Sequence, residues 1–245
     1  MMRQSARLLA LLLVALASLQ VYFVARIALM RWVDPQSTTF QRSEWWRLLR
    51  EHGTRSAWSQ QWVDGSQIGE PLKRAVIASE DAGFVDHSGV EWDAIERAWE
   101  RNQRVQTITE RRAAMPGARQ RPVKLVGGST ITQQLAKNLF LSGERTLVRK
   151  AQEFMLTWTL EALLDKRRIL EIYLNSVEWG EGVFGAQAAA RHYHRVDASR
   201  LSLPAAAHLA VLLPAPKRFE RNPGSAYVSG RAAAIAARMG DVELP

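Results

Sequence analysis

GGSTITQQLAKNLF, residues 127–140, runs two glycines, three hydroxyls, two adjacent glutamines and a lysine straight into apolar residues. Thr130-Ile131-Thr132-Gln133 matches the capping-box pattern, in which a hydroxyl and a glutamine three residues later satisfy each other's backbone N–H. The glycines before it allow a sharp entry, so a helix is expected to start at Ser129 or Thr130. Its first turn then presents free backbone N–H groups. Ile131, Leu135 and Leu139 form an apolar stripe, while Gln133 with Lys137, and Gln134 with Asn138, fall on the remaining surface at i, i+4 spacing. One helix thus carries a core face and a donor-rich face. Taken alone, the stretch suits an ordinary capped amphipathic helix as well as one that meets a ligand. The nucleotide-type phosphate loop GxxxxGK[ST] occurs nowhere in the chain.

The surrounding sequence has the same period. Residues 72–79, 91–103, 130–141, 146–164, 166–175, 183–193, 203–213 and 227–239 read as helices, and no run of strand alternation stands out. With 245 residues, 47% hydrophobic and 23% charged, the chain suits one globular domain plus an appended segment, which excludes a disordered tail. Lysine and arginine outnumber acids 33 to 24, so the surface attracts a polyanion: nucleic acid, anionic lipid or a pyrophosphate-bearing substrate. Six of the surplus positive charges lie in residues 97–124, where Met115-Pro116-Gly117 and Arg121-Pro122 break the chain. That segment fits a solvated loop or one that touches headgroups or substrate. The chain has no cysteine, which rules out disulfides and thiolate metal sites.

Residues 8–25, LLALLLVALASLQVYFVA, carry no charge and are about long enough to cross a hydrocarbon core as a helix. Arg3 and Arg7 precede them without an acid, which places the N-terminus in the cytoplasm and the rest outside it. Ala15-Leu16-Ala17 offers a weak cleavage site, but the apolar run continues past it, so a retained anchor is the better reading. An exported body also argues against nucleic acid as a partner. The expected organisation is a cytoplasmic terminus and anchor at residues 1–31, a juxtamembrane segment at 32–70 and a catalytic domain at 71–245. Trp32, Trp45, Trp46, Trp58 and Trp62 lie in the juxtamembrane segment; about half are expected in the core and the others at the headgroup level.

Two further clusters stand out. ERTLVRKAQE, residues 144–153, places Arg145, Arg149 and Glu153 at successive i+4 steps, with Lys150 three residues before Glu153. Three cations surround one carboxylate, more than a surface ion-pair ladder needs. AVIASEDAGFVDHSG, residues 75–89, puts Glu80 and Asp81 at the end of a short apolar helical run, followed by Phe84, His87 and Gly89. Such a carboxylate is a candidate base or simply the start of a solvated loop. His87, His192 and His194 have no metal-ligand spacing.

EDAGFVDHSG, GGSTITQQLAKNLF, RTLVRKAQE and ILEIYLNSVEWGEGVFGAQAAARHY, in that order, resemble the consecutive motifs of the biosynthetic peptidoglycan glycosyltransferases, family 51, with a weaker fifth match in LSLPAAAHLAVLLPAPKRFERNP. The resemblance covers about residues 70–223, leaves no room for a transpeptidase domain and looks like the monofunctional form. Ala205 stands where the family usually has an acid and His194 where it usually has an aromatic residue. The resemblance implies an all-α, lysozyme-like fold, with a larger lobe and a smaller membrane-proximal lobe flanking a cleft. It implies polymerisation of lipid II into glycan strands, with release of undecaprenyl pyrophosphate and inversion at the anomeric carbon, at a bacterial inner membrane. Glu80 matches the family's first catalytic glutamate and Glu153 its second. Asp81, Phe84, His87, Ser129, Thr130, Gln133, Gln134, Lys137, Asn138, Arg145, Arg149 and Lys150 fall at its substrate-binding positions.

No cofactor is required by this chemistry, although a divalent cation, Mg or Mn, at the pyrophosphate and near Glu153 is compatible with it. The implied partners are lipid II, the growing glycan, membrane lipids and other cell-wall synthesis or division proteins. A lysozyme-like hydrolase or lytic transglycosylase would share the fold and the first glutamate, but would gain nothing from four cations around the second. A non-catalytic, membrane-anchored binding module is the other rival. Ile169, Leu170, Tyr173 and Leu174 read as packing, with Glu171 and Asn175 kept as candidates behind the site.

Overall fold

A computed structural model describes residues 2–53, 57–113, 128–141, 143–144 and 146–245. Along the chain run α1 (Met2–Leu29), α2 (Thr39–His52), β1 (Ser59–Gln60), α3 (Glu70–Glu80), α4 (Trp92–Ala113), α5 (Ile131–Phe140), α6 (Leu147–Leu163), α7 (Lys166–Ser176), β2 (Glu178–Gly180), β3 (Val183–Phe184), α8 (Ala186–His194), α9 (Leu203–Leu212), α10 (Pro216–Phe219) and α11 (Ala226–Ala236). The fold is mostly helical, as the period of the sequence predicts.

α5 begins at its capping box: Thr130 Oγ1 accepts from the Gln133 N–H and Gln133 Oε1 from the Thr130 N–H, both at 3.1 Å. Ile131, Leu135 and Leu139 are buried, so the expected stripe is the core face. That face packs against α6 and α7, while α3, α9 and α11 form a second packed group. One hydrophobic core runs through both groups. Gly128 is needed for close approach more than for a turn, because a Cβ there would lie 2.8 Å from Ala94 O.

Two elements differ from expectation. Residues 39–52, read as a tryptophan-rich juxtamembrane stretch, form α2 with its own capping box, Thr38 and Gln41. Polar groups dock it as much as apolar ones do: Thr39 Oγ1 donates to Leu139 O at 2.9 Å and Gln41 Nε2 to Ser176 O at 3.3 Å. Residues 183–184, expected to open a helix, form β3 instead. It is the middle strand of a three-stranded sheet, parallel to β1 and antiparallel to β2. The turn from β2 to β3 needs Gly182, at φ +72°, where a Cβ would lie 2.2 Å from Ala57 O. Of the five tryptophans in residues 32–70, Trp32, Trp45 and Trp46 are exposed, Trp58 stacks on Phe184 and Trp62 packs against the core.

α1 contains a span, Gln4–Leu29, long and apolar enough to cross a membrane, with mean hydropathy 2.4. Its last turns are part of the body. Phe23 meets Phe140 edge-on at 5.3 Å, Ile27 is fully buried, and Arg168 Nε donates to Met30 O at 2.8 Å. Gln20 and Gln152 of α6 exchange hydrogen bonds at 3.0 and 3.2 Å. Ile27→Ala should therefore cost about 2–4 kcal/mol, as for other large-to-small core changes. Thermal unfolding in detergent would read this as a clear drop in melting temperature, and an unchanged temperature would mean that this end of α1 does not pack.

Candidate active site

α3 stops at Glu80, and the next residue ties it to α5. Asp81 is buried; its Oδ1 accepts from His87 Nε2 at 2.8 Å and its Oδ2 from the Ile131 N–H at 2.9 Å. The carboxylate therefore satisfies one of the free amides at the start of α5, where the helix dipole favours negative charge. His87 Nδ1 accepts from the Gly89 N–H at 3.0 Å, which puts the ring proton on Nε2, facing Asp81. Thr130 Oγ1 closes the loop by donating to Gly89 O at 2.6 Å. Beneath it, Phe84 is fully buried with Lys166 Nζ 4.6 Å above its ring. Asp81, Phe84, His87 and Thr130 thus form a support that sets α3 against α5, and Phe84 and His87 line neither of the cavities described next.

Glu80 is held by a relay of side chains. Tyr173 Oη donates to Gln134 Oε1 at 2.9 Å, which turns the amide so that Gln134 Nε2 donates to Glu80 Oε2 at 3.0 Å. Ser79 Oγ donates to the other oxygen at 3.3 Å. Burial pushes the Glu80 carboxyl above its ordinary value, and the Gln134 and Ser79 hydrogen bonds oppose that rise. Glu80 faces a recess of about 100 Å³ that it shares with Asp81, Glu91, Arg101, Ser129 and Thr130.

The larger cleft, about 430 Å³, lies along the donor face of α5. Gln133, Gln134, Lys137 and Asn138 line it from α5, and Arg149, Lys150 and Glu153 from α6. Ser129 borders both the cleft and the recess. Glu153 is only 4% exposed, with Arg149 Nη1 at 3.1 Å from one oxygen and Lys150 Nζ at 2.5 Å from the other. Two cations on one carboxylate leave a net positive charge, which suits an anionic ligand. Arg145 lies outside the described residues, as do residues 114–124 of the basic segment.

The rest of the lining comes from Phe40 of α2, Val177, Glu178 of β2, Leu213 and Pro216, along with Tyr173 of α7. Burial pushes Glu178 up to about 7, with Lys217 opposing the rise. In the sequence Tyr173 reads as packing only, and Glu178 is not singled out. A buried tyrosine hydroxyl in an apolar stripe needs a partner, and that was the available signal for Tyr173. Glu178 had a similar one, a lone acid between Val177 and Trp179, both of which are buried. Glu171 and Asn175 point elsewhere: Asn175 exchanges hydrogen bonds with the backbone of Val63, and Glu171 pairs with Arg168.

The donors around Glu153 do not make a divalent-metal site, because both carboxylate oxygens are already held by cations. Asp81, His87 and Glu91 bring possible ligand atoms within 4.8 Å of one another, but the atoms of Asp81 and His87 bond each other and the backbone, and Glu91 pairs with Arg97 at 2.6 Å.

A model of the transglycosylase family matches residues 47–240. A biosynthetic peptidoglycan transglycosylase of Paraburkholderia phytofirmans is 49% identical over 236 residues, covering 96% of this chain and 91% of its own. One from Burkholderia pseudomallei is 53% identical over 226 residues, covering 92% of this chain and 82% of its own. With a family match over most of its length and relatives this similar, the chain belongs to the transglycosylase family.

Proposed function

We propose that this protein polymerises lipid II into glycan strands, working as a monofunctional peptidoglycan glycosyltransferase. The observation that carries the reading is Gln134, which lines the cleft and at the same time holds the partly buried Glu80 carboxylate. It joins a base with a raised pKa to a pocket rich in positive charge.

In this reading Glu80 takes the proton from the 4-hydroxyl of the acceptor sugar as that oxygen attacks the anomeric carbon of the donor. The new C–O bond forms on the face opposite the breaking bond to pyrophosphate, so the configuration inverts. The electron pair leaves with undecaprenyl pyrophosphate. Lys137, Arg149 and Lys150 stabilise the charge that develops there, and Glu153 holds two of these cations in place. Gln133, Gln134 and Asn138 hold sugar hydroxyls or phosphate oxygens. With cations already aimed at the leaving group no cofactor is needed, and a Mg or Mn ion would be carried by the pyrophosphate itself. In this reading the N-terminus is cytoplasmic and the cleft lies on the outer side of the inner membrane, beside lipid-linked substrate, a topology supported by the arginines before the apolar span.

Purified chain incubated with lipid II should yield glycan polymer and free undecaprenyl pyrophosphate. Release of fragments from finished cell wall, with no polymer from lipid II, would favour the hydrolase instead.

A further inference from the structure

Among the described residues, three buried polar atoms without a hydrogen-bond partner belong to side chains that line the cleft: Gln133 Nε2, Arg149 Nε and Glu178 Oε1. The first two are donors on the α5 and α6 side. Glu178 is the acceptor, and it belongs to the part of the lining that α2, β2 and the chain after α9 supply, with Phe40, Val177, Leu213 and Pro216. Its side chain is 7% exposed. Lys217 Nζ forms an ion pair with Oε1 at 3.6 Å, longer than a hydrogen bond, and makes its short contact to Glu44. β2 holds the residue rigidly, because Val177 and Trp179 on either side are buried and Glu178 is paired in register with Phe184 on β3.

A buried carboxyl oxygen left without a donor is costly, so its persistence in a cleft wall needs an explanation. The two parts of the lining differ in chemistry. One offers cations and amide donors, the other an apolar surface with a single inward acceptor. The first suits a pyrophosphate. The second suits a pyranose, whose C–H face rests on apolar groups while one hydroxyl or amide N–H is fixed by a placed polar atom.

We propose that Glu178 contacts the sugar part of the substrate, accepting a hydrogen bond from a hydroxyl or acetamido N–H of an N-acetylated hexosamine; this rests on the polymerase reading above. The cleft then orients its ligand end to end, phosphates toward α6 and sugar toward β2. The charged and titratable groups facing Glu178 are Lys217 of α10, Glu44 and Arg47 of α2, and Tyr193 of α8. They form a network that an ion-pairing role alone would serve, so the test has to separate contact from charge.

Three variants do so, each with KM and kcat measured on lipid II and a melting curve. Glu178→Gln keeps the reach and the acceptor but loses the charge, and its KM should stay within about three-fold of the parent. Glu178→Asp keeps the charge but withdraws the acceptor by one methylene, and Glu178→Leu removes the acceptor; each should raise KM by about ten-fold, the scale of one lost hydrogen bond to a buried group, with kcat changed less. If the aspartate variant matches the parent while the glutamine variant is impaired, Glu178 acts through charge and the inference falls. It falls equally if aspartate and leucine variants with normal melting keep the parental KM. Should the leucine variant fail to fold, the glutamine and aspartate pair still decides. A parent chain that makes no polymer would instead overturn the polymerase reading, and this inference with it.

Discussion

Glu80→Gln is expected to slow polymerisation of lipid II by about 10²-fold or more while lipid II binding stays near the parent's. The amide keeps the shape of the carboxylate and can still meet Gln134, but it cannot take the acceptor's proton. In the parent, the rate should fall on acidification with an apparent pKa above the ordinary carboxylate value of 4.5, because burial raises Glu80. The variant's residual rate should lack that dependence. The same shift fixes the sign for stability. A carboxyl whose folded pKa is raised contributes most below its unfolded value, and that contribution is lost as pH rises through the folded one. The glutamine variant should therefore melt no lower than the parent at neutral pH. A variant that polymerises at close to the parental rate would remove Glu80 from the role of base.

Arg149→Ala is expected to lower kcat/KM on lipid II by about 10²-fold, with a rise in KM as well as a fall in kcat. Arg149 touches Glu153 and lines the cleft, so the change removes a charge aimed at pyrophosphate and half of what compensates a buried carboxylate. A lower melting temperature should accompany the loss. Lys150→Ala should be milder, because the Lys150 side chain is 39% exposed against 18% for Arg149. Added salt should narrow the gap between parent and either variant by screening the attraction that remains. A KM for Arg149→Ala that is unchanged at low ionic strength would show that the guanidinium does not meet substrate.

What the sequence made legible was local. The capping box of α5, its apolar stripe and its donor face are all set within fourteen residues, and each is found where residues 127–140 put it, as far as these are described. The cations around Glu153 are legible for the same reason, since i, i+3 and i, i+4 neighbours on a helix must meet. α2 was hidden because two of its attachments are side chains bonding distant backbone, Thr39 to Leu139 and Gln41 to Ser176, which leave no apolar period to read. The strands are two or three residues long, below the length at which alternation can be recognised. Phe84 sits in a motif that suggested substrate contact yet lines neither cavity, whereas Asp81 and Thr130 hold neighbouring backbone and also line the recess beside Glu80. Motif position alone does not separate a residue that touches a ligand from one that holds its neighbour. The relay from Tyr173 through Gln134 to Glu80 joins residues 39 and 54 positions apart, and only the packing of α7, α5 and α3 reveals it.

The paired glutamines Gln20 and Gln152 fix α6 along the length of α1, so in the proposed function, with α1 in a bilayer, they would set the height of the reaction. Arg26 is the first charge after the apolar span, and at a rise of 1.5 Å per residue Gln20 lies about 9 Å before it along α1. Gln152 bonds Gln20 directly and immediately precedes Glu153. Were Arg26 at the water boundary, the cation cluster of α6 would sit at the depth where lipid headgroups begin. A polyprenyl pyrophosphate could then enter and leave the cleft by sliding sideways, its tail never lifted into water. An anchor of this kind would act as a ruler as well as a tether, and a body released from it would have to find this depth for itself.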